Sequence, residues 1–148
     1  MSYDTVESGL LTLIRVLSNY NTTNTDRGDY RVLGSGVTRA VVINPGSISN
    51  REVVGLPRRI QTEWEILIEL FVPFQGEIST ASAAIRADRQ ELLDHLDKYP
   101  TINGVANVTH AFVGHGTEPE VWSGESQSFW KQTLVMRVLE TYTATIAE

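Results

Sequence analysis

Three histidines and a scatter of carboxylates are the side chains in this sequence with the widest chemical reach. His110 and His115 are followed by Glu118 and Glu120, and imidazole with carboxylate is a set that zinc accepts. Their spacing matches no helix-face ligand motif, so a strand end beside a glycine-rich loop is the plainer reading. His95 sits between Asp94 and Asp97 and is expected to be solvated. Glu63, Glu65 and Glu69 fall at even spacing. On one strand face, neighbours two apart lie ~7 Å from each other, which suits a glycosidase pair only loosely. Nothing around them suggests a sugar cleft, and a solvated or interface-facing acidic row is the expectation. Gly34-Ser35-Gly36 and Gly114-His115-Gly116 complete neither a dinucleotide fingerprint nor a phosphate loop and read as turns. The strained Gly-x-Ser-x-Gly elbow of serine hydrolases is absent. Without cysteine, disulfides, thiolate-bound zinc, iron–sulfur clusters and thiol catalysis are excluded. The sequence thus predicts no catalytic residue, cofactor or metal.

The elements that would carry these groups follow from periodicity. Val6, Leu10, Leu13, Ile14, Leu17 and Tyr20 recur at spacings of three and four, which predicts a first helix ending near Tyr20. Asp4-Thr5-Val6-Glu7 has the form of a capping box at its start. Val37 to Ile43 reads as a strand between turn signals. From Ile60 the chain alternates strictly. Ile60, Thr62, Trp64, Ile66, Ile68, Leu70 and Val72 face one way, and Gln61, Glu63, Glu65, Leu67, Glu69 and Phe71 the other. Ser79 or Thr80 caps a second helix that Pro100 stops after Tyr99. Val105 to Val113 and Ser128 to Thr143 read as two more strands, joined by a loop, Gly114 to Gln127, with acids and no bases. The order α-β-β-α-β-β predicts a single α+β domain over residues 1–148: a four-stranded, mainly antiparallel sheet with both helices packed on one face.

The connection from Asn44 to Pro57 is longer than most that lack structure of their own, which marks it as functional. It holds Ile48, Val53, Val54 and Leu56, and Arg51, Arg58 and Arg59 cluster around it. Exposed aliphatics of this kind mark binding surfaces, and the arginines would steer docking onto an acidic partner.

Composition narrows the function classes. The chain has 148 residues, enough for one domain with a core. Its formal charge of −6 argues against a broad basic grip on nucleic acid. No apolar run approaches the ~18 residues of a membrane span. The start, Met1-Ser2-Tyr3-Asp4, lacks the pattern of a signal peptide, so a soluble domain made in the cytoplasm is expected.

The layout resembles the tail terminator (tail completion) proteins of long-tailed bacteriophages. The resemblance is carried by the chain length, the leading amphipathic helix and the acid-edged strand Ile60–Val72. It continues through the helix with Arg89-Gln90-Glu91-Leu92-Leu93-Asp94-His95-Leu96 and its close on Tyr99-Pro100, and then the Gly104 turn and the strand Val105–Val113. Phe129-Trp130 then opens the strand Lys131–Thr143. It implies a structural virion protein with no chemistry. Such a protein forms a homo-oligomeric ring, typically a hexamer, on the end of the tail tube, stops tube polymerisation and meets the head-side connector. Genomic DNA passes through the hole without specific binding. On this reading Ile48, Arg51, Val53, Val54, Leu56, Arg58 and Arg59 contact tube or connector. Glu63, Glu65 and Glu69 line the lumen or a subunit interface, where negative charge would repel phosphate. Two other readings stand beside it. One is a head-completion or adaptor protein of the phage neck. The other is a small enzyme or ligand-binding module built on His110, His115 and the Gly114–Gln127 loop.

Overall fold

The structure is a computed structural model that describes residues 3–28, 39–55, 58–73, 78–123 and 128–144. The chain runs α1 (Tyr3–Ile14), β1 (Thr25–Arg27), β2 (Ala40–Val54), β3 (Arg59–Pro73), α2 (Ile78–Leu96), β4 (Val108–Gly116), β5 (Glu120–Ser123) and β6 (Ser128–Thr143). The strands form one mixed sheet in the order β1-β2-β3-β6-β4, with β5 also paired to β6. The expected four-stranded antiparallel sheet is therefore corrected, among the described residues, to a mostly-β, six-stranded mixed sheet with two helices. The two extra strands are β1, parallel to β2, and β5, antiparallel to the start of β6. Both are short: β1 is a polar triplet that also bonds to Arg15 and, through Arg27, to Glu7 of α1, and β5 is anchored by Trp122 against Phe71 and Phe129.

β3 is the centre of the sheet, as its alternation demands. It pairs along its whole length with β6, from Arg59 against Thr143 to Pro73 against Phe129, and along its other edge with β2. Trp64, Ile66, Ile68 and Leu70 point to the face that both helices cover. There they meet Val6, Leu10 and Ile14 of α1, Leu92 and Leu96 of α2, and Leu134, Met136 and Val138 of β6 in one buried cluster. The opposite face carries a smaller cluster of Ala40, Val42, Phe71 and Phe129 against Trp122. Trp122 meets Phe71 edge-on at 5.5 Å, a favoured geometry for aromatic quadrupoles.

Several boundaries differ from the sequence reading; α2 ends at Leu96 rather than Tyr99, and the expected strand Val105–Val113 runs Val108–Gly116. α1 ends at Ile14, and the chain continues to Tyr20 through tighter i→i−3 bonds, Val16 to Leu13, Leu17 to Ile14 and Tyr20 to Leu17. Tyr20 still reaches the core at 4% exposure. Asp4 and Glu7 do not close a capping box; both pair with the Arg27 guanidinium, Glu7 at 3.0 Å. The largest difference is the connection 44–57. Its residues up to Val54 are strand, paired with β3 as far as Val54 against Arg59. Only the tip turns, and Gly55 takes the left-handed conformation there, φ +67°, that a side chain would disfavour. The expected fourteen-residue loop is thus the outer half of a long hairpin. Gly114 and Gly116 are likewise strand residues of β4 rather than a turn.

A buried polar network ties the helices to the sheet. The Tyr20 hydroxyl donates to the Asp88 carboxylate at 3.2 Å, and the Arg39 guanidinium lies 2.6 Å from the same carboxylate. Burial pushes the Asp88 carboxyl above its usual range, with Arg39 opposing, and burial likewise raises Tyr20. His95 is buried rather than solvated. Its Nε2 lies 2.9 Å from the carbonyl of Leu13 in the last turn of α1. A carbonyl oxygen only accepts, so Nε2 carries a proton and the ring donates across the helix pair, to a carbonyl that also receives the Val16 N–H.

Candidate interaction surface

The β2–β3 hairpin outgrows the core beneath it. β2 is fully buried from Ala40 to Ile43, then runs exposed from Pro45 to Val53. Two register shifts, between Pro45 and Ile48 and between Ile48 and Asn50, accompany the change. Pro45 lacks an N–H, and such residues suit bulges and sheet edges. Gly46 is required by close approach: a Cβ there would lie 2.8 Å from that of Glu65.

The register places Ile48 beside Trp64, Arg51 beside Thr62 and Val53 beside Ile60 on the helix-bearing face. Ile48 is 66% exposed and Val53 55%. Trp64, Ile60 and Thr62 are buried beneath them. The Arg51 guanidinium donates to the Tyr142 hydroxyl at 3.2 Å. Pro45, Ile48, Arg51, Thr62, Trp64 and Tyr142 thereby wall a groove of about 320 Å³, beyond which Arg58 and Arg59 stand exposed at the hairpin tip. Of the contact residues expected from sequence, Ile48, Arg51, Val53, Arg58 and Arg59 share this end of the hairpin. Val54 is half-buried, and Leu56 lies outside the described residues.

The acidic row is not uniform. Glu63 and Glu65 are half-buried, with Glu63 3.9 Å from the exposed Arg137. Glu69 is buried at 6% exposure, 3.2 Å from the Lys131 ammonium and 2.9 Å from the Asn44 amide that donates to it. It cannot line a lumen. Alternation assigned it the correct face but not its environment, because the cluster of Phe71, Phe129 and Trp122 closes over that end of the face. Lower on the same face, Glu63, His110, Phe112, Arg137 and Leu139 surround a shallow cavity of about 270 Å³, where the His110 ring stacks near Phe112 at 6.3 Å.

His110, His115, Glu118 and Glu120 are a conceivable ligand set in the sequence, with a plain strand end and loop as the expectation. Among the described residues no three His, Asp or Glu side chains gather as metal ligands would. No helix among the described residues is long and apolar enough to cross a membrane. The acidic segment 117–120 is nonetheless well placed. Thr117 accepts from the Gln132 amide at 2.8 Å and donates its N–H to the Thr133 carbonyl at 2.8 Å. Five residues on, Trp122 is packed between Phe71 and Phe129. Between these anchors Glu118, Pro119 and Glu120 are exposed, and Val121 is 57% exposed.

These features define a two-layer domain with a projecting hairpin and surface grooves. No family model and no curated protein matches the sequence. Its fold is shared: 29 chains of known structure match it. One of them is 14% identical and superposes over 100% of this chain and 99% of its own length with a TM-score of 0.50. At that identity the likeness speaks for the fold alone.

Proposed function

We propose that this protein is a structural component of a long-tailed phage particle, a terminator whose copies form a ring, of six in the simplest case, on the end of the tail tube. The observation that carries the reading is the hairpin. It extends two strands beyond the helices and presents Ile48, Val53, Arg51, Arg58 and Arg59 outward. A lone domain gains no stability from exposed aliphatics at such a tip, whereas a docking element uses them. The tip residues Val53, Arg58 and Arg59 meet the tube protein or the head-side connector. Glu63 and Glu65 remain available to a lumen through which DNA passes. Glu69 is withdrawn from that role. The reading assigns the protein no catalysis, cofactor or membrane contact and places it at the tail–neck junction of the virion.

Two experiments test it. A phage lacking this protein should make tails longer than normal that fail to join heads. Unjoined tails of normal length would reject termination and favour a head-completion role in the neck. In co-sedimentation with purified tail tubes, Val53→Ser/Arg58→Glu/Arg59→Glu should fold as the parent does and bind at least tenfold more weakly. Undiminished binding would reject the hairpin as the docking element.

A further inference from the structure

We infer that the groove beside Ile48 receives the acidic segment Glu118–Val121 of a second copy of this chain, so that successive copies associate head to tail. This deepens the ring reading above and rests on it. The two surfaces are complementary in chemistry. The groove has an apolar wall and floor, Pro45, Ile48 and Trp64, and a guanidinium, Arg51, held at its rim by the Tyr142 hydroxyl. Arg58 and Arg59 add positive charge nearby, so that three guanidiniums stand against two carboxylates, Glu65 in the groove lining and Glu52 on the exposed stretch of β2. The segment offers the converse: two exposed carboxylates, Glu118 and Glu120, a proline and an outward aliphatic, Val121. Glu120 is already 69% exposed and lies 4.0 Å from Lys131, whose nearer partner is Glu69 at 3.2 Å. Its carboxylate is therefore available to a guanidinium from outside.

Both surfaces are also pre-formed. Thr117 and Trp122 fix the segment at its two ends, so little chain entropy is lost on docking. Arg51 is already oriented by Tyr142.

The two surfaces cannot meet within one molecule. Ile48 lies beside Trp64, which faces Val138, while Val121 pairs with Trp130 on the same strand β6. At ~3.3 Å per residue along β6 and ~4.8 Å between strands, they stand roughly 25–30 Å apart. Contact between different surfaces of two copies is heterologous, and such contacts close into rings when the rotation allows. Direct pairing of sheet edges is a poorer route. The open edges of β2 and β4 both carry register shifts, a feature that blunts edges against strand addition.

The absence of cysteine makes the test clean. Ile48→Cys and Val121→Cys proteins are prepared separately, mixed at high concentration and oxidised. A disulfide needs Cα atoms within ~7 Å, so trapping reports the contact itself and accumulates even brief encounters. The mixed dimer should exceed either homodimer at least tenfold. Adding Glu118→Lys/Glu120→Lys to the Val121→Cys protein should reduce trapping at least tenfold, and Arg51→Glu on the Ile48→Cys protein should restore much of it. Mixed and homodimers in chance proportion would overturn the inference. Ring-sized oligomers in sedimentation without selective trapping would overturn it while leaving the ring reading intact. Selective trapping that, in a chain carrying both Ile48→Cys and Val121→Cys, gives only an open-ended ladder would uphold this contact and refute the closed ring.

Discussion

Replacing Glu69 separates the sequence reading from the structure. A solvated carboxylate in an acidic row would be worth little, and its loss would move stability by less than ~0.5 kcal/mol. Here Glu69 is buried, with the Lys131 ammonium 3.2 Å from one carboxylate oxygen and the Asn44 amide 2.9 Å from the other. Glu69→Ala therefore leaves an ammonium without its main counter-charge in a site where the Lys131 side chain is only 17% exposed. Removing one partner of a buried pair costs ~3–5 kcal/mol. Lys131 retains some water and can swing toward Glu120, 4.0 Å away, which brings the expected loss below that range, to about 2–3 kcal/mol. For a domain of this size that is a fall of roughly 6–12 °C in Tm. Urea unfolding should show the midpoint falling at constant m. Glu63→Ala is the internal control. Its partner Arg137 is 3.9 Å away and 57% exposed, so the change should stay within ~0.5 kcal/mol. The pair Glu69→Leu with Lys131→Met removes both charges and should recover most of the loss. A Glu69→Ala loss no larger than that of Glu63→Ala would refute the buried-pair account.

Four further outcomes are expected. His95→Ala removes a donor to the Leu13 carbonyl and an edge-on contact with Tyr99, and should cost about 2 kcal/mol in urea unfolding. His110→Asn and His115→Asn, at exposed positions, should each stay within ~0.5 kcal/mol. The raised Asp88 carboxyl makes the folded state bind its proton more tightly than the unfolded state. Its contribution is therefore complete below the unfolded carboxyl value of ~3.9 and is lost as pH rises through the higher folded value. Asp88→Asn should abolish that downward slope in pH-dependent unfolding, and the parent should lose stability again above pH ~10 as Tyr20, also raised, begins to ionise in the unfolded chain. Gly9→Ala would gain up to ~1 kcal/mol of helix propensity in isolation. In the fold its Cβ would sit 2.9 Å from Val105 Cγ2 and 3.4 Å from Ile102 Cγ2, so thermal unfolding should show no gain and a modest loss.

What the sequence determined by itself are the elements whose signal is local and repeated. The alternation from Ile60 specified β3 nearly to its ends, because a period of two can bury one face only as a strand. The same logic located β6 from Ser128 to Thr143 and the two helices by their apolar stripes. The corrections came where partnership outweighs periodicity. Residues 44–54 carry proline, glycine and serines and resemble a loop, yet β3 supplies a hydrogen-bonded template that makes them strand. β1 is a polar triplet given order by the parallel edge of β2, a pairing no local pattern encodes. Alternation likewise put Glu69 and Glu63 on one face, but only the packing of Phe71, Phe129 and Trp122 made the first buried while the second stayed half-exposed. His95, flanked by acids in the sequence, is buried because α1 crosses α2 at Leu13. The candidate surface divides in the same way. Ile48, Arg51 and Val53 were visible as aliphatics and a cation in an unusual connection. That they share one face with Tyr142, 91 residues from Arg51, follows from the pairing of β3 with β6, since a contact between strands distant in sequence is a property of the sheet and not of either segment.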